Sequence, residues 1–125
     1  MLRSRLFSGN ARLNACSTSN SSHVTAGQKG EFVALLQYAL LVLENAAIAQ
    51  SEIDAETYGK TTAAAVLNYK TKRQIINRSY QTKPDDIVGI MTITVLDAEI
   101  FALERANAIV PFSRASAGRL KHWAV

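Results

Sequence analysis

A chain of 125 residues, 48% hydrophobic and 19% charged, has room for one domain with extensions, and that balance excludes disorder throughout. Its formal net charge of +4 belongs to the two ends. Residues 1–30 carry Arg3, Arg5, Arg12 and Lys29 without an acid and residues 105–125 carry Arg105, Arg114, Arg119 and Lys121 without an acid, whereas between them 10 acids outnumber 6 bases.

The single cysteine, Cys16, cannot form an internal disulfide, so folding requires no oxidising compartment. MLRSRLF runs into SGNARLN without the apolar run of a secretory signal. The expected location is the cytoplasm at synthesis, with the periplasm or cell wall reached only by a non-classical route. The longest uncharged apolar run, Phe32 to Leu43, is 12 residues. Spanning a bilayer takes roughly 20, so no membrane insertion is expected.

Residues 1–16 alternate basic and apolar side chains without a sustained helical period, and STSNSS follows as a polar connector; residues 1–26 therefore read as an N-terminal extension. Gly30 is a helix-boundary signal, and Glu31 puts negative charge where a first turn favours it. The first predicted helix runs to about Ala47, with Phe32, Val33, Leu36, Ala39, Leu40, Leu43 and Ala47 on one core stripe. Leu35, Tyr38 and Val42, with Leu41 beside them, make a second apolar stripe that needs a cover. The candidates are the chain's own ends, through Leu6, Phe7, Leu13, Phe112, Leu120 or Trp123, or the same face of a second subunit in a homo-oligomer.

Ser51 to Thr57 reads as a polar, acidic connector. The second helix starts at Gly59 and continues towards Arg73, with Ala65, Val66 and Tyr69 inward. A long loop follows, closed by Pro84, Asp85 and Asp86. The third helix starts at about Ile90, places Ile93, Leu96, Ile100 and Leu103 on one face, and stops before Pro111. Residues 27–107 thus read as the domain and residues 108–125 as a basic, aromatic tail. Gly59, Thr62, Ala65 and Val66 recur as Gly89, Thr92, Val95 and Leu96, each set preceded by an apolar residue, Tyr58 or Val88, which suggests a duplicated turn-to-helix unit.

Three blocks carry a family resemblance. Gly30, Val33, Leu36, Gln37 and Leu40 form the first; Tyr58, Gly59, Thr62, Ala65, Val66 and Tyr69 the second; Asp86, Ile87, Val88, Gly89, Thr92 and Leu96 the third. In this order they resemble the peptidoglycan-binding-like domain, a small three-helix module often attached to bacterial cell-wall hydrolases. The resemblance implies an all-α, three-helix bundle with N- and C-terminal extensions, in which Gly30, Gln37, Tyr58, Gly59, Thr62, Asp86, Gly89 and Thr92 are structural. It also implies recognition of peptidoglycan. Departures stand at Ala55, Glu56 and Thr57, where the family has aspartate and glycine, at Lys70, where it has glutamine, and in the longer linker from Arg73 to Asp86.

Catalysis has no support in the residues, and neither a metal site nor a cofactor is expected. His23 and His122 lie in opposite ends without metal-binding spacing, Asp85 and Asp86 are adjacent in a loop, and TAGQKGEF lacks the ending of a phosphate loop. The segment from Tyr69 to Lys83 interleaves two tyrosines with five bases and contains no acid. Tyr69, Arg73, Arg78 and Tyr80 are its candidate ligand-binding residues, equally suited to cell-wall glycan or to a single-stranded nucleic acid, unless they form a solvated helix end. The long linker excludes a helix-turn-helix, so no sequence-specific nucleic acid is expected. The leading expectation is a non-catalytic cell-wall binding module. The alternative is an interaction module that keeps the fold and binds another protein, such as a cell-wall-associated one, as an accessory of a phage or contractile secretion system.

Overall fold

The computed structural model describes residues 1–79 and 81–106, and their regular structure is helical, with two isolated bridges and no strand. In chain order the helices are α1 (Arg5–Ser8), α2 (Ala11–Cys16), α3 (Glu31–Glu44), α4 (Gln50–Ala55), α5 (Lys60–Arg73) and α6 (Ile90–Arg105), with a 3-10 turn at Asn20–Ser22. The all-α expectation stands.

Leucine and alanine dominate α3 and favour helix at little entropic cost. It ends at Asn45, whose left-handed backbone (φ 49) turns its N–H onto the carbonyls of Leu40 and Leu41. This stop comes before Ala47, which is exposed beyond the helix. Every residue from Val33 to Leu41 is buried, the signature of a helix at the centre of a core. The expected open stripe is therefore corrected: Leu35, Tyr38 and Leu41 are buried and Val42 is half-buried within the single chain, so they present no face to a second subunit. Leu6, Phe7 and Leu13 join the same core cluster, while Phe112, Leu120 and Trp123 lie outside the described residues.

The reading of residues 1–26 as an extension is also corrected. Leu2, Phe7, Leu13, Cys16 and Val24 are core residues. Two very short helices carry them, each started by a side-chain cap: Ser4 Oγ accepts from the Phe7 N–H (3.2 Å) and Asn10 Oδ1 from the Leu13 N–H (3.0 Å). Two carboxylates of α6 then fasten the segment. Asp97, 5% exposed, accepts from the N–H groups of Arg3 and Ser4 at 2.8 Å each. Glu104 accepts from Arg5 at 2.7 Å and Leu6 at 2.9 Å. The Arg3 guanidinium stacks 4.6 Å above the Phe101 ring between them.

Residues 24–30 form a rail, turned at Ala26 and Gly27, that engages both copies of the duplicated block. Val24 and Val88 exchange two backbone hydrogen bonds of 2.9 Å, and Tyr58 N–H donates to Gln28 O at 2.9 Å. Gly30 N–H reaches Glu56 O (3.0 Å) with a φ of 143, in the half of backbone space that favours glycine. The rail crosses the expected domain boundary between residues 26 and 27. It also aligns the starts of α5 and α6, both of which pack beside the central helix or its flanking N-terminal helices.

The segment expected as a polar connector contains α4, which buries Ile53 and carries a Gln50–Asp54 hydrogen bond of 2.9 Å between successive turns. α5 starts at Lys60 and buries Ala65, Val66 and Tyr69 as the pattern predicts. α6 buries Ile93, Leu96 and Ile100, leaves Leu103 half-buried, and ends at Arg105; Pro111 lies outside the described residues.

Candidate functional site

The two glycine-led helix starts are built alike and finished differently. At α5, Glu52 reaches over from α4 and its carboxylate accepts from Gly59 N (3.1 Å), Thr61 N (2.9 Å), Thr62 N (2.9 Å) and the hydroxyls of Thr61 and Thr62 (2.7 Å each). Burial pushes its pKa up, but the Thr61 and Thr62 bonds outweigh that and hold it at about 2. A Cβ on Gly59 would lie 2.6 Å from Glu52 Cδ. Glycine is required there by this close approach, since its φ of −99 is open to any residue. Gln37, 1% exposed, continues the network by donating to Thr62 Oγ1 and Thr57 O, each at 3.0 Å. Tyr58 is buried and its hydroxyl donates to the Asp86 carbonyl, tying the second block to the third, while the Asp86 side chain is exposed.

Two of the four candidate ligand-binding residues are committed to packing. Tyr69 is fully buried under the Arg73 guanidinium, 3.9 Å from its ring centre. Arg73 forms a two-pronged bond with Glu99, through Nε (2.7 Å) and Nη2 (2.8 Å), and Nη2 also pairs with Glu44 at 2.9 Å. The Glu99 bonds lead in raising the Arg73 pKa above its ordinary value, so the charge is fixed. Lys72 pairs with the other Glu44 oxygen at 2.7 Å. This cluster joins α5 to α3 and α6. Lys72 and Arg73 are thus neutralised by acids remote in sequence, which corrects the picture of a wholly free basic surface from Tyr69 to Lys83. Arg78 and Lys83 are exposed, and Tyr80 lies outside the described residues.

Lys70 is likewise internal. Its side chain is 7% exposed, and Nζ donates to Asp85 Oδ1 (2.6 Å) and Ile87 O (2.7 Å). Asp85 Oδ1 also accepts from Ile87 N at 3.1 Å, and Oδ2 from Gln81 Nε2 at 2.6 Å. Burial raises the Asp85 pKa, but the Lys70 and Ile87 bonds prevail and its carboxyl sits below the usual range.

Above this pair opens a cleft of about 340 Å³. Its lining comes from the N-terminal segment (Asn20, His23), from the end of α5 and the loop after it (Lys70, Ile75, Asn77, Gln81, Asp85) and from the start of α6 (Ile87, Gly89, Ile90, Met91). Such a size with an apolar wall and a few converging polar groups suits a small ligand. Arg78 stands on the same loop, between Asn77 and Gln81. Sequence reasoning misses Asn20 and His23, which the N-terminal packing brings here from far upstream. The spacing of Lys70 and Asp85 is likewise silent until the loop folds back.

Thr92 is buried like its counterpart Thr62, and Gly89 has nearly the backbone of Gly59, with φ −108 and ψ −164 against φ −99 and ψ −164. A Cβ on Gly89 would meet only the His23 ring, at an ordinary 3.4 Å. Among the described residues, no three His, Cys, Asp or Glu side chains gather in a way that would hold a metal ion, and no helix is long and apolar enough to cross a membrane. No protein-family model, curated protein or solved structure matches the chain.

Proposed function

We propose that this chain is a non-catalytic binding module of peptidoglycan-binding-like architecture, with α3, α5 and α6 as its three principal helices, and that its ligand is cell-wall peptidoglycan. The observation that supports this reading is that the third sequence block, through Ile87 and Gly89, lines a small-ligand cleft beside Lys70, the residue that follows the second block. The carboxylate that lines the cleft, Asp85, is occupied by Lys70, Ile87 and Gln81. The lining brings no second acid to face it across a sugar, which favours binding over hydrolysis. Arg78 supplies an exposed cation on the cleft's loop.

The test is retention of the full chain on purified insoluble peptidoglycan, beside a basic control protein of similar size. Retention that survives about 0.5 M salt, where exposed ion pairs are screened over a few ångströms, is the expected result. Release of all the protein at that salt concentration overturns the wall reading and leaves the interaction-module alternative.

A further inference from the structure

We propose that the outer face of α6, together with the arginines at its C-terminal end, is a docking surface for an anionic phospholipid bilayer, lying in the interface without crossing it. The inference does not rest on the ligand assigned to the cleft.

A surface helix ordinarily turns charged residues to solvent. On its outer side α6 does so only at its end. Thr94, Val95, Ala98 and Ala102 share about a third of the helix circumference with Met91 and Arg105, and that arc carries no charge before Arg105. Met91 is 48% exposed, Thr94, Ala98 and Ala102 are exposed, and Val95 is half-buried. The Thr94 hydroxyl turns back onto the Ile90 carbonyl at 2.7 Å, so it needs no outside partner. The acids of the helix lie off this arc and are engaged, Glu99 with Arg73 and both Asp97 and Glu104 with the N-terminal segment.

Cations gather where the uncharged arc ends. The Arg3 and Arg105 guanidiniums both stand over the half-buried Phe101 ring, 4.6 and 5.8 Å from its centre. Arg5 follows Arg3 on the outward side of the N-terminal segment, where exposed and buried residues alternate from Met1 to Arg5. Asp97 and Glu104, the carboxylates beside these bases, give all four oxygens to the N–H groups of residues 3–6. Among the described residues, none of the three arginines forms an ion pair. Three unpaired guanidiniums thus face outward against two carboxylates turned inward, and their planar forks suit phosphate.

The pairing of an uncharged arc with a cationic end selects the partner. A nucleic acid carries phosphate along its whole length and would set some of it against Thr94, Val95 and Ala98, where nothing offsets the charge. The Phe101 ring, which could stack on a base, already carries Arg3 and Arg105. A bilayer offers both layers at once: phosphate headgroups to the arginines, and the acyl boundary to Met91, Val95 and the two alanines. Met1, two residues before Arg3 and 93% exposed, adds a second flexible apolar side chain that can enter that boundary. Among the described residues three large hydrophobic side chains are exposed, and Met1 and Met91 are two of them.

The test is co-sedimentation of the full chain with vesicles of phosphatidylcholine alone or with about 30% phosphatidylglycerol. The anionic vesicles are expected to bind at least about tenfold tighter than the neutral ones. Arg3→Gln, Arg5→Gln and Arg105→Gln together keep much of each side chain's stem and remove three charges. At about fivefold per base, they lower affinity for the anionic vesicles on the order of a hundredfold. Lys29→Gln, Lys60→Gln and Lys83→Gln together remove the same charge from three exposed bases elsewhere, and lower it by less than about fivefold.

Ala98→Glu probes the arc itself. Ala98 and Ala64 are both exposed and helical, so glutamate at either leaves the fold intact. Ala98→Glu puts a carboxylate where the acyl boundary would lie and lowers affinity at least about tenfold, whereas Ala64→Glu, on α5, changes it by less than about threefold. Equal losses from the arginine and lysine sets, or from the two alanine variants, overturn the surface. So does equal binding to neutral and anionic vesicles, or binding to neither. Tighter binding of a single-stranded oligonucleotide than of anionic vesicles, lost with the same arginines, gives the face to nucleic acid and overturns the bilayer. A dimer that Ala98→Glu dissociates, without vesicle binding, gives it to a second copy and overturns the bilayer as well.

Discussion

Replacing Glu52 with Gln keeps the side chain's size and removes its charge, and it turns one acceptor oxygen into an amide nitrogen facing the N–H groups of α5. In the wild type the carboxyl is held at about 2, against an ordinary value of 4.5. That difference corresponds to about 3 kcal/mol of native-state stability at neutral pH. Glu52 is half-buried, so solvent screening reduces the expected loss to about 2 kcal/mol, or about 8 °C in melting temperature. The sign follows from the depressed folded-state value: the stabilisation is complete above the unfolded pKa and is lost as pH falls from about 4.5 towards 2. Urea unfolding of both proteins at pH 7, 5 and 3 should therefore show the full gap at pH 7 and less than half of it at pH 3. A gap below about 0.5 kcal/mol at pH 7, or one that persists unchanged at pH 3, refutes the assignment of Glu52 as the charged cap of α5.

Two further outcomes can be measured in the same assay. Gly59→Ala pushes a methyl group into the Glu52 carboxyl and should cost about 2 kcal/mol, whereas Gly89→Ala meets only ordinary contact with His23 and should stay within about 0.5 kcal/mol; equal costs would show that the two helix starts are not distinguished by what stands in front of them. Phe7→Ala should cost about 3–5 kcal/mol, because Phe7 is fully buried, and a loss under about 0.5 kcal/mol would return residues 1–8 to the status of an appendage.

The starts of α5 and α6 and their inward residues were legible in the sequence because glycine marks each start and the apolar period is sustained over about four turns. The N-terminal helices and α4 were not, since elements of 4–6 residues show no period and leave only Ser4 and Asn10 as start signals. The second stripe on α3 was visible, but its meaning depended on whether α3 lay at the edge or the centre of the core, which periodicity alone does not decide. Tyr69 and Arg73 misled for a related reason. A run of bases and aromatics looks the same whether it faces solvent or faces Glu44 and Glu99, and only folding brings those acids to it. The cleft depends on residues far apart in the chain, from Asn20 and His23 to Met91, which only folding brings together.

The four amides of Arg3 to Leu6 receive their partners from residues 93 to 99 positions away. Closing a loop of that length costs about 4 kcal/mol of chain entropy, so this docking is worthwhile only after α6 has been positioned by its other contacts. In folding kinetics it belongs late, and mutations at Asp97 or Glu104 should mainly accelerate unfolding while leaving the folding rate nearly unchanged. These amides owe their protection to side chains alone. Their hydrogen exchange consequently reports a single event, the lifting of the N-terminal segment from α6, at a free energy below that of global unfolding.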